Sequence, residues 1–333
     1  MKMERKRLGK SEIEVSPLGF GCWAIGGPFW LNGLPDGWGD VDDAASIRTI
    51  GRALELGINF FDTADAYGVG HSEEILGRAL KDKRREAVIA TKFGFTHDAA
   101  AKQVYGRIDV TPAYVRKACE ASLRRLGTDY IDLYQIHAGG ISYEELDLVI
   151  DALESLKKEG LILSYGWSTD DMNRAAAFGE RSSGVAIQHP LNVLLDAPDM
   201  IAVCERFGLS SINNGPLAMG LLSGKFDRSS TLPKDDVRGT GHDWVVYFKN
   251  GKPDPDFMDK LDAVKEILRS GGRTLVQGAL AWIWARSEAT IPIPGLKTEA
   301  QLEEAASAME FGPLPKEAMA EISGLLEKVR QRT

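Results

Sequence analysis

From Pro17 onward the sequence repeats one rhythm: a short apolar run, a turn, then a stretch with apolar residues at helical spacing. The run 17–21 and the stretch 44–56 (AASIRTIGRALEL) make the first unit, and Gly57 stands just beyond as a helix stop. INFFD with helix 73–81 makes the second, and AVIATK with helix 112–126 the third. Thr111-Pro112 opens that last helix, with Thr as cap and Pro at the first helical position. YIDLYQIH with 144–158, LILSYGWS with 171–179 and VAIQ with 198–207 continue the series. SSIN is followed by a long stretch rich in Gly, Pro and charge (223–255), then by helices near 256–270 and 274–286. ATIPI, helix 298–309 and a terminal helix 315–330 complete the chain. Eight such units predict a (β/α)8 TIM barrel. The opening KRLGKSEIEV adds an N-terminal β-hairpin around a Gly-Lys-Ser turn, and the last helices are extra to the barrel.

The competing architecture is a doubly wound sheet, which would carry GxGxxG after its first strand; the chain has GFGCWAIGG there. No linker, repeat or low-complexity tract divides residues 1–333, so one barrel domain is expected. Composition narrows the function. A net charge of -8 repels phosphate, which argues against nucleic acid and anionic membrane as partners. Three scattered cysteines, without CxxC, suit a reducing compartment and offer no zinc site or disulfide scaffold. A polar start and the absence of any run of about 18 apolar residues point to a cytoplasmic protein with a small-molecule partner. No coiled coil or interface repeat reports an oligomeric state.

In a barrel of this type catalytic groups stand at the C-terminal ends of strands. The second predicted strand runs into Asp62 with Tyr67 in the loop beyond, the third ends in Lys92, and the fourth ends in His137. Taken singly, each has a structural reading: a turn residue, rim packing, a solvated lysine, a hydrogen-bonded histidine. Converging on one mouth, they compose a site for carbonyl reduction. Hydride addition to a carbonyl leaves an alkoxide that needs a proton. A tyrosine can donate it near neutral pH if a cation lowers its ordinary value of about 10. Lys92 is that cation, Asp62 would hold Lys92 charged and oriented, and His137 would hydrogen-bond the substrate oxygen. No side chain supplies a hydride, so a cofactor must. A hydrolase on the same barrel would need paired carboxylates, and only Asp62 is so placed.

INFFDTADAYG, VIATKFGF, DLYQIH, the Gln188 strand, GPLAMGLLSGK and IPIPGLKTEAQLEEA together resemble the successive signature segments of the aldo-keto reductase family, from the hairpin to about residue 308. The resemblance implies an NAD(P)-dependent barrel enzyme whose tetrad is Asp62, Tyr67, Lys92 and His137. It implies that Ser168, Thr169 and Gln188 hold the nicotinamide carboxamide, with Thr169 in place of the usual Asn; the two hydroxyls also read as caps of the following helix. Asn214 stands where the family often has an aromatic or arginine platform. Gly215, Pro216, Leu217, Gly220, Leu222 and Lys225 match the loop over the pyrophosphate, and Arg238 is a candidate to fold across it. For Lys225 and Arg238 a plain surface role stays equally open. Gly295, Lys297, Gln301 and Glu304 match the adenosine site, while Ala305 replaces a family Asn. A helix starting near Thr298 aims N–H donors at an anion, and Lys297 beside it favours the 2′-phosphate of NADP(H), with NAD(H) as the alternative.

The loop after the first strand carries Trp23, Phe29, Trp30 and Trp38 at the mouth, where packing accounts for most and Trp23 is expected to line the substrate pocket beside Tyr67 and His137. The expected reaction interconverts an aldehyde, ketone or sugar with its alcohol. The alternatives are an NAD(P)-binding regulatory protein with little turnover, and a sugar or polyol dehydrogenase working mainly by oxidation.

Overall fold

The computed structural model describes residues 3–331; residues 1–2 and 332–333, which the one-domain expectation also spans, lie outside the described residues. Eight parallel strands run in sequence order: β1 (Gly19–Gly21), β2 (Phe60–Asp62), β3 (Val88–Phe93), β4 (Ile131–Ile136), β5 (Ile162–Ser168), β6 (Ala186–Pro190), β7 (Ser210–Asn214) and β8 (Thr290–Pro292). The ring closes where Gly21 pairs with Gly295 and its N–H donates to the Pro294 carbonyl at 2.9 Å. A Cβ on Gly21 would sit 2.8 Å from the Ile293 oxygen, so only glycine lets the first and last strands meet.

The helices are α1 (Asp43–Glu55), α2 (His71–Leu80), α3 (Pro112–Leu126), α4 (Tyr143–Lys158), α5 (Met172–Arg181), α6 (Pro198–Phe207), α7 (Pro255–Leu268), α8 (Leu275–Arg286), α9 (Glu299–Phe311) and α10 (Lys316–Arg330). Their starts follow local chemistry. Thr111 and Pro112 open α3 as predicted, and Ser142 with Glu145 forms a reciprocal cap on α4. Gly127 and Gly208 end α3 and α6 at positive φ. Helix α8 is buried on nearly every side, which its continuous apolar sequence requires. No helix of the described residues is long and apolar enough to cross a membrane.

Two main apolar regions result, beside a small third one of Phe29, Ala66 and Val104. The larger lies between strands and helices. The smaller fills the barrel interior with Phe60, Val88, Ala90, Leu133, Ala186, Ile212, Ile291 and Ile293, and the N-terminal hairpin (Lys6–Arg7 with Glu14–Val15) adds Leu8 and Val15 to it. Because side chains alternate along a strand, the residues two positions beyond this layer also face inward. Those are Asp62, Lys92, Gln135, Gln188 and Asn214.

Two additions were not predicted. Short strands at Trp30–Leu31, Leu34–Pro35, Phe95–Asp98 and Gln103–Ile108 join the loops after β1 and β3 into a four-stranded sheet. The 223–255 stretch is also ordered, with a small hairpin at Phe248–Lys249 and Lys252–Pro253. At the mouth, the loops after β1 and β2 touch backbone to backbone. Gly68 has φ +61, and a Cβ there would stand 1.8 Å from the Gly26 oxygen. Gly68→Ala is therefore expected to lower stability by about 1–3 kcal/mol and to displace the neighbouring Tyr67, reducing turnover as well. Urea unfolding together with an NADPH-oxidation assay measures both, and a variant matching the parent in each would disprove the close-packing account.

Candidate active site

Asp62 ends β2, Lys92 lies next to last in β3, and His137 follows β4 directly, with its N–H on the Phe93 carbonyl at 2.7 Å. Tyr67 sits on the loop after β2. That loop is anchored by Thr63 Oγ1 donating to Ser72 at 2.8 Å and by Ser72 donating to the Cys22 carbonyl at 2.9 Å. Buried Glu73 anchors it further, accepting from Thr91 at 2.6 Å and Arg125 at 2.6 Å.

Lys92 is fully buried and spends all three ammonium protons: on Asp62 Oδ2 at 2.7 Å, on the Thr63 carbonyl at 2.8 Å and on Tyr67 Oη at 3.0 Å. The other oxygen of Asp62 accepts from Gln188 Nε2 at 2.7 Å and Gln135 Nε2 at 3.2 Å. The His137 ring stands edge-on to Tyr67, with centroids 6.1 Å apart, and Phe95 meets it at 5.1 Å. The four sequence-predicted residues are thus brought together. Gln135 and Phe95 were not foreseen. The signal for Gln135 was present, as an amide at an inward position two residues before His137.

Burial would push the Lys92 ammonium down, but Asp62 and Tyr67 outweigh it and the net direction is up. Burial drives the Tyr67 phenol up; Lys92 pulls it back while Asp62 and Asp36 add to the rise, and the net direction is up. The expectation that the cation alone brings the phenol below its ordinary value is therefore corrected, because desolvation of the phenolate is the larger effect. Burial and Lys92 push the His137 imidazole down to about 3, and its Nδ1 has no partner.

Beside these residues opens a cleft. Of the predicted contacts, Trp23, Asp62, Gln188, Asn214, Gly215, Pro216, Leu217, Gly220, Lys225, Arg238, Gly295, Lys297, Gln301 and Glu304 line it, as does Tyr67. Three do not. Leu222 is fully buried in the core between barrel and helices, where its apolar side chain is stabilised. Ser168 ends β5 off the cleft, and Thr169 is buried, accepting from the Asp171 N–H at 3.2 Å. Asp171, rather than either hydroxyl residue, caps α5. Met219 and Val276 are lining residues the sequence did not suggest, while Trp38, placed at the mouth with packing as its expected role, also lines the cleft. The cleft's aromatic surface comes from Trp23, Trp38 and Tyr67, in place of the platform that Asn214 lacks.

The profile of the Aldo/keto reductase family matches residues 17–327. The chain belongs to the aldo/keto reductase family. An aldo-keto reductase of Bacillus subtilis is 32% identical over 335 residues, covering 98% of this chain and 94% of that one. The NADH-specific methylglyoxal reductase of Escherichia coli is 30% identical, covering 98% of this chain and 100% of its own. The structure of a glycerol dehydrogenase from Gluconobacter oxydans superposes with a TM-score of 0.81 at 32% identity, covering 97% of this chain and 95% of that one. As an aldo/keto reductase, the chain is an NAD(P)H-dependent oxidoreductase acting on a carbonyl or its alcohol.

The cleft residues fit an anionic dinucleotide. Lys225, Arg238 and Lys297 converge on it within a chain of net charge -8. Burial pushes the Lys297 ammonium down, and Arg238 and Lys225 push the same way against Asp236 and Asp40, so an anion there would relieve the repulsion. Ala218, Met219 and Gly220 all have positive φ, and this tight turn is held by the Ala218 N–H on the Gly215 carbonyl at 2.9 Å and the Gly220 N–H on the Leu217 carbonyl at 2.8 Å. The indole N–H groups of Trp23 and Trp38 are buried there without a partner.

With its folded value near 3 against an ordinary value of about 6.5, His137 stays neutral over the working range. Its stability contribution is present above about pH 6.5 and is lost as pH falls toward 3. Ring NMR signals of His137 should therefore stay unshifted between about pH 5 and 8; a midpoint inside that window would overturn the neutral assignment.

Proposed function

We propose that the protein is an NADP(H)-dependent reductase of an aldehyde, ketone or sugar carbonyl, with Tyr67 as the general acid. The carrying observation is the exhaustion of the Lys92 donors. Since Lys92 donates to Tyr67 Oη, that oxygen accepts, and the phenolic proton is free to point at a substrate. The cofactor supplies the hydride. His137, neutral at working pH, offers a ring N–H to the substrate oxygen as charge develops on it. Asp62 keeps Lys92 charged in a site with little water to screen it. The same residues serve the oxidation of an alcohol, with Tyr67 as base, so the arrangement supports either direction.

A preference for NADP(H) over NAD(H) is supported by the three cations of the cleft. Arg238 is held by Asp236 at 2.6 Å and lies 4.7 Å over the Trp38 ring. Lys297 donates to the Trp38 carbonyl at 2.6 Å, at the start of α9, whose Thr298 cap faces Gln301. Its charge and the helix terminus together suit a 2′-phosphate.

Two tests follow. Tyr67→Phe should keep NADPH affinity, read by tryptophan fluorescence, within about threefold while lowering turnover about a hundred- to ten-thousandfold. In the parent, the raised phenol keeps the acid form through neutrality. Reduction should stay level until pH passes the ordinary tyrosine value of about 10, while oxidation, which needs the phenolate, climbs toward that point. A Phe variant with full turnover would rule out Tyr67 as the acid. Separately, Lys297→Glu should weaken NADPH more than tenfold and NADH less than about threefold. Equal losses for both would refute the phosphate-reading role of Lys297.

A further inference from the structure

Gln135 lies on β4 directly opposite Lys92 in the parallel register. It is fully buried and does not line the cleft. An ionised carboxylate only accepts hydrogen bonds, so the contact with Asp62 fixes the amide with Nε2 toward Oδ1. That orientation leaves Gln135 Oε1 buried with no partner. An orphaned carbonyl is costly, and a leucine would fill a barrel interior without one. What the amide offers in return is its donor.

We infer that Gln135 is a positioning residue for the reaction: with Gln188 it clamps the free oxygen of Asp62, and through the Asp62–Lys92 pair it tunes the acid at Tyr67. The inference rests on the reading of Tyr67 as the general acid. The two amides divide the task. Gln188 lines the cleft, within reach of what binds there, whereas Gln135 is behind the ion pair and stays on Asp62 whatever the cleft holds.

The sign follows from electrostatics. The groups acting on Tyr67 are Lys92 from β3, Asp62 from β2 and Asp36 from the loop after β1, with His137, beyond β4, edge-on to its ring. Lys92 favours the phenolate; the two carboxylates oppose it. An amide N–H on Asp62 spreads that carboxylate's negative charge. Without it, Asp62 draws the shared ammonium proton more strongly, Lys92 acts less as a cation toward Tyr67, and the phenol becomes a weaker acid.

The test is Gln135→Met, which keeps volume and loses the donor. The alkaline limb of alcohol oxidation should move up by about 0.5–1 pH unit and neutral-pH reduction should slow about three- to tenfold, with NADPH affinity by fluorescence within twofold. In the cofactor-free protein, the ¹³Cζ resonance of labelled Tyr67, assigned with Tyr67→Phe, should titrate at correspondingly higher pH. If the Met variant does not fold, Gln135→Asn, with its shorter amide, should shift both readouts the same way by a smaller amount. A folded variant with unmoved titration, or with NADPH affinity falling in step with turnover, overturns the inference. Loss of the Tyr67 reading itself appears differently, as turnover surviving in Tyr67→Phe, and leaves the ¹³Cζ comparison to judge the clamp alone.

Discussion

A lysine with no solvent exposure, paired to an aspartate at 2.7 Å inside a barrel, is the constraint around which the mouth of this protein is organised. Two desolvated charges are tolerated only when each remaining donor and acceptor is used, and breaking such a pair costs about 3–5 kcal/mol. The fold meets that demand through register. Asp62 pairs with Ala90, so Lys92 reaches across from one pleat higher, and Gln135 lies opposite Lys92 in the next strand. The loop carrying Thr63 and Tyr67 supplies the last two acceptors. Below this layer the interior is apolar and is capped by Leu8 and Val15 of the hairpin, so packing stability and polar chemistry occupy opposite ends of one barrel.

The cleft beside the ion pair is held by a second set of contacts, between loops far apart in sequence. Residues 35–38 are gripped by residues 237–242. The Val237 N–H donates to the Gly37 carbonyl at 3.2 Å, His242 Nε2 lies 2.9 Å from the Pro35 carbonyl, and Arg238 covers Trp38. Lys297 ties the same strip to the start of α9. Each contact is small, but together they hold Arg238 and Lys297 against Trp38 at the edge of one cleft.

Much of this was legible because local signals agreed with the global pattern. The bounds of α3 and α6 were read without error, since Thr-Pro or Pro starts and glycine stops are local chemistry. The meeting of Asp62, Tyr67, Lys92 and His137 at one mouth was readable because strand ends are predictable and the residue types are unusual there. What escaped was non-local. The four-stranded sheet joins two-residue strands, too short for any alternation to show, to strands of four and six residues in a loop about 70 residues away. Leu222 sits in a glycine-rich loop, where sequence gives no means of telling a lining leucine from a buried one. The Gln135 amide stands in a buried strand, and its partner became apparent only once β2, β3 and β4 were laid side by side.

The arrangement also changes what Lys92 is for. A cation beside a phenol is usually credited with making it a stronger acid, yet here burial outweighs that pull and the Tyr67 phenol is raised. The effect of Lys92 is then geometric as much as electrostatic. By occupying a lone pair of Tyr67 Oη with its third proton, it turns the phenolic O–H away from the ammonium. A lysine with a free rotor would not impose that direction. Its rotor is locked because Asp62 and the Thr63 carbonyl take the other two protons, and Asp62 holds still because both its oxygens are engaged. The orientation of one proton at the barrel mouth thus depends on contacts that reach inward to β4, one strand beyond the lysine that touches the tyrosine.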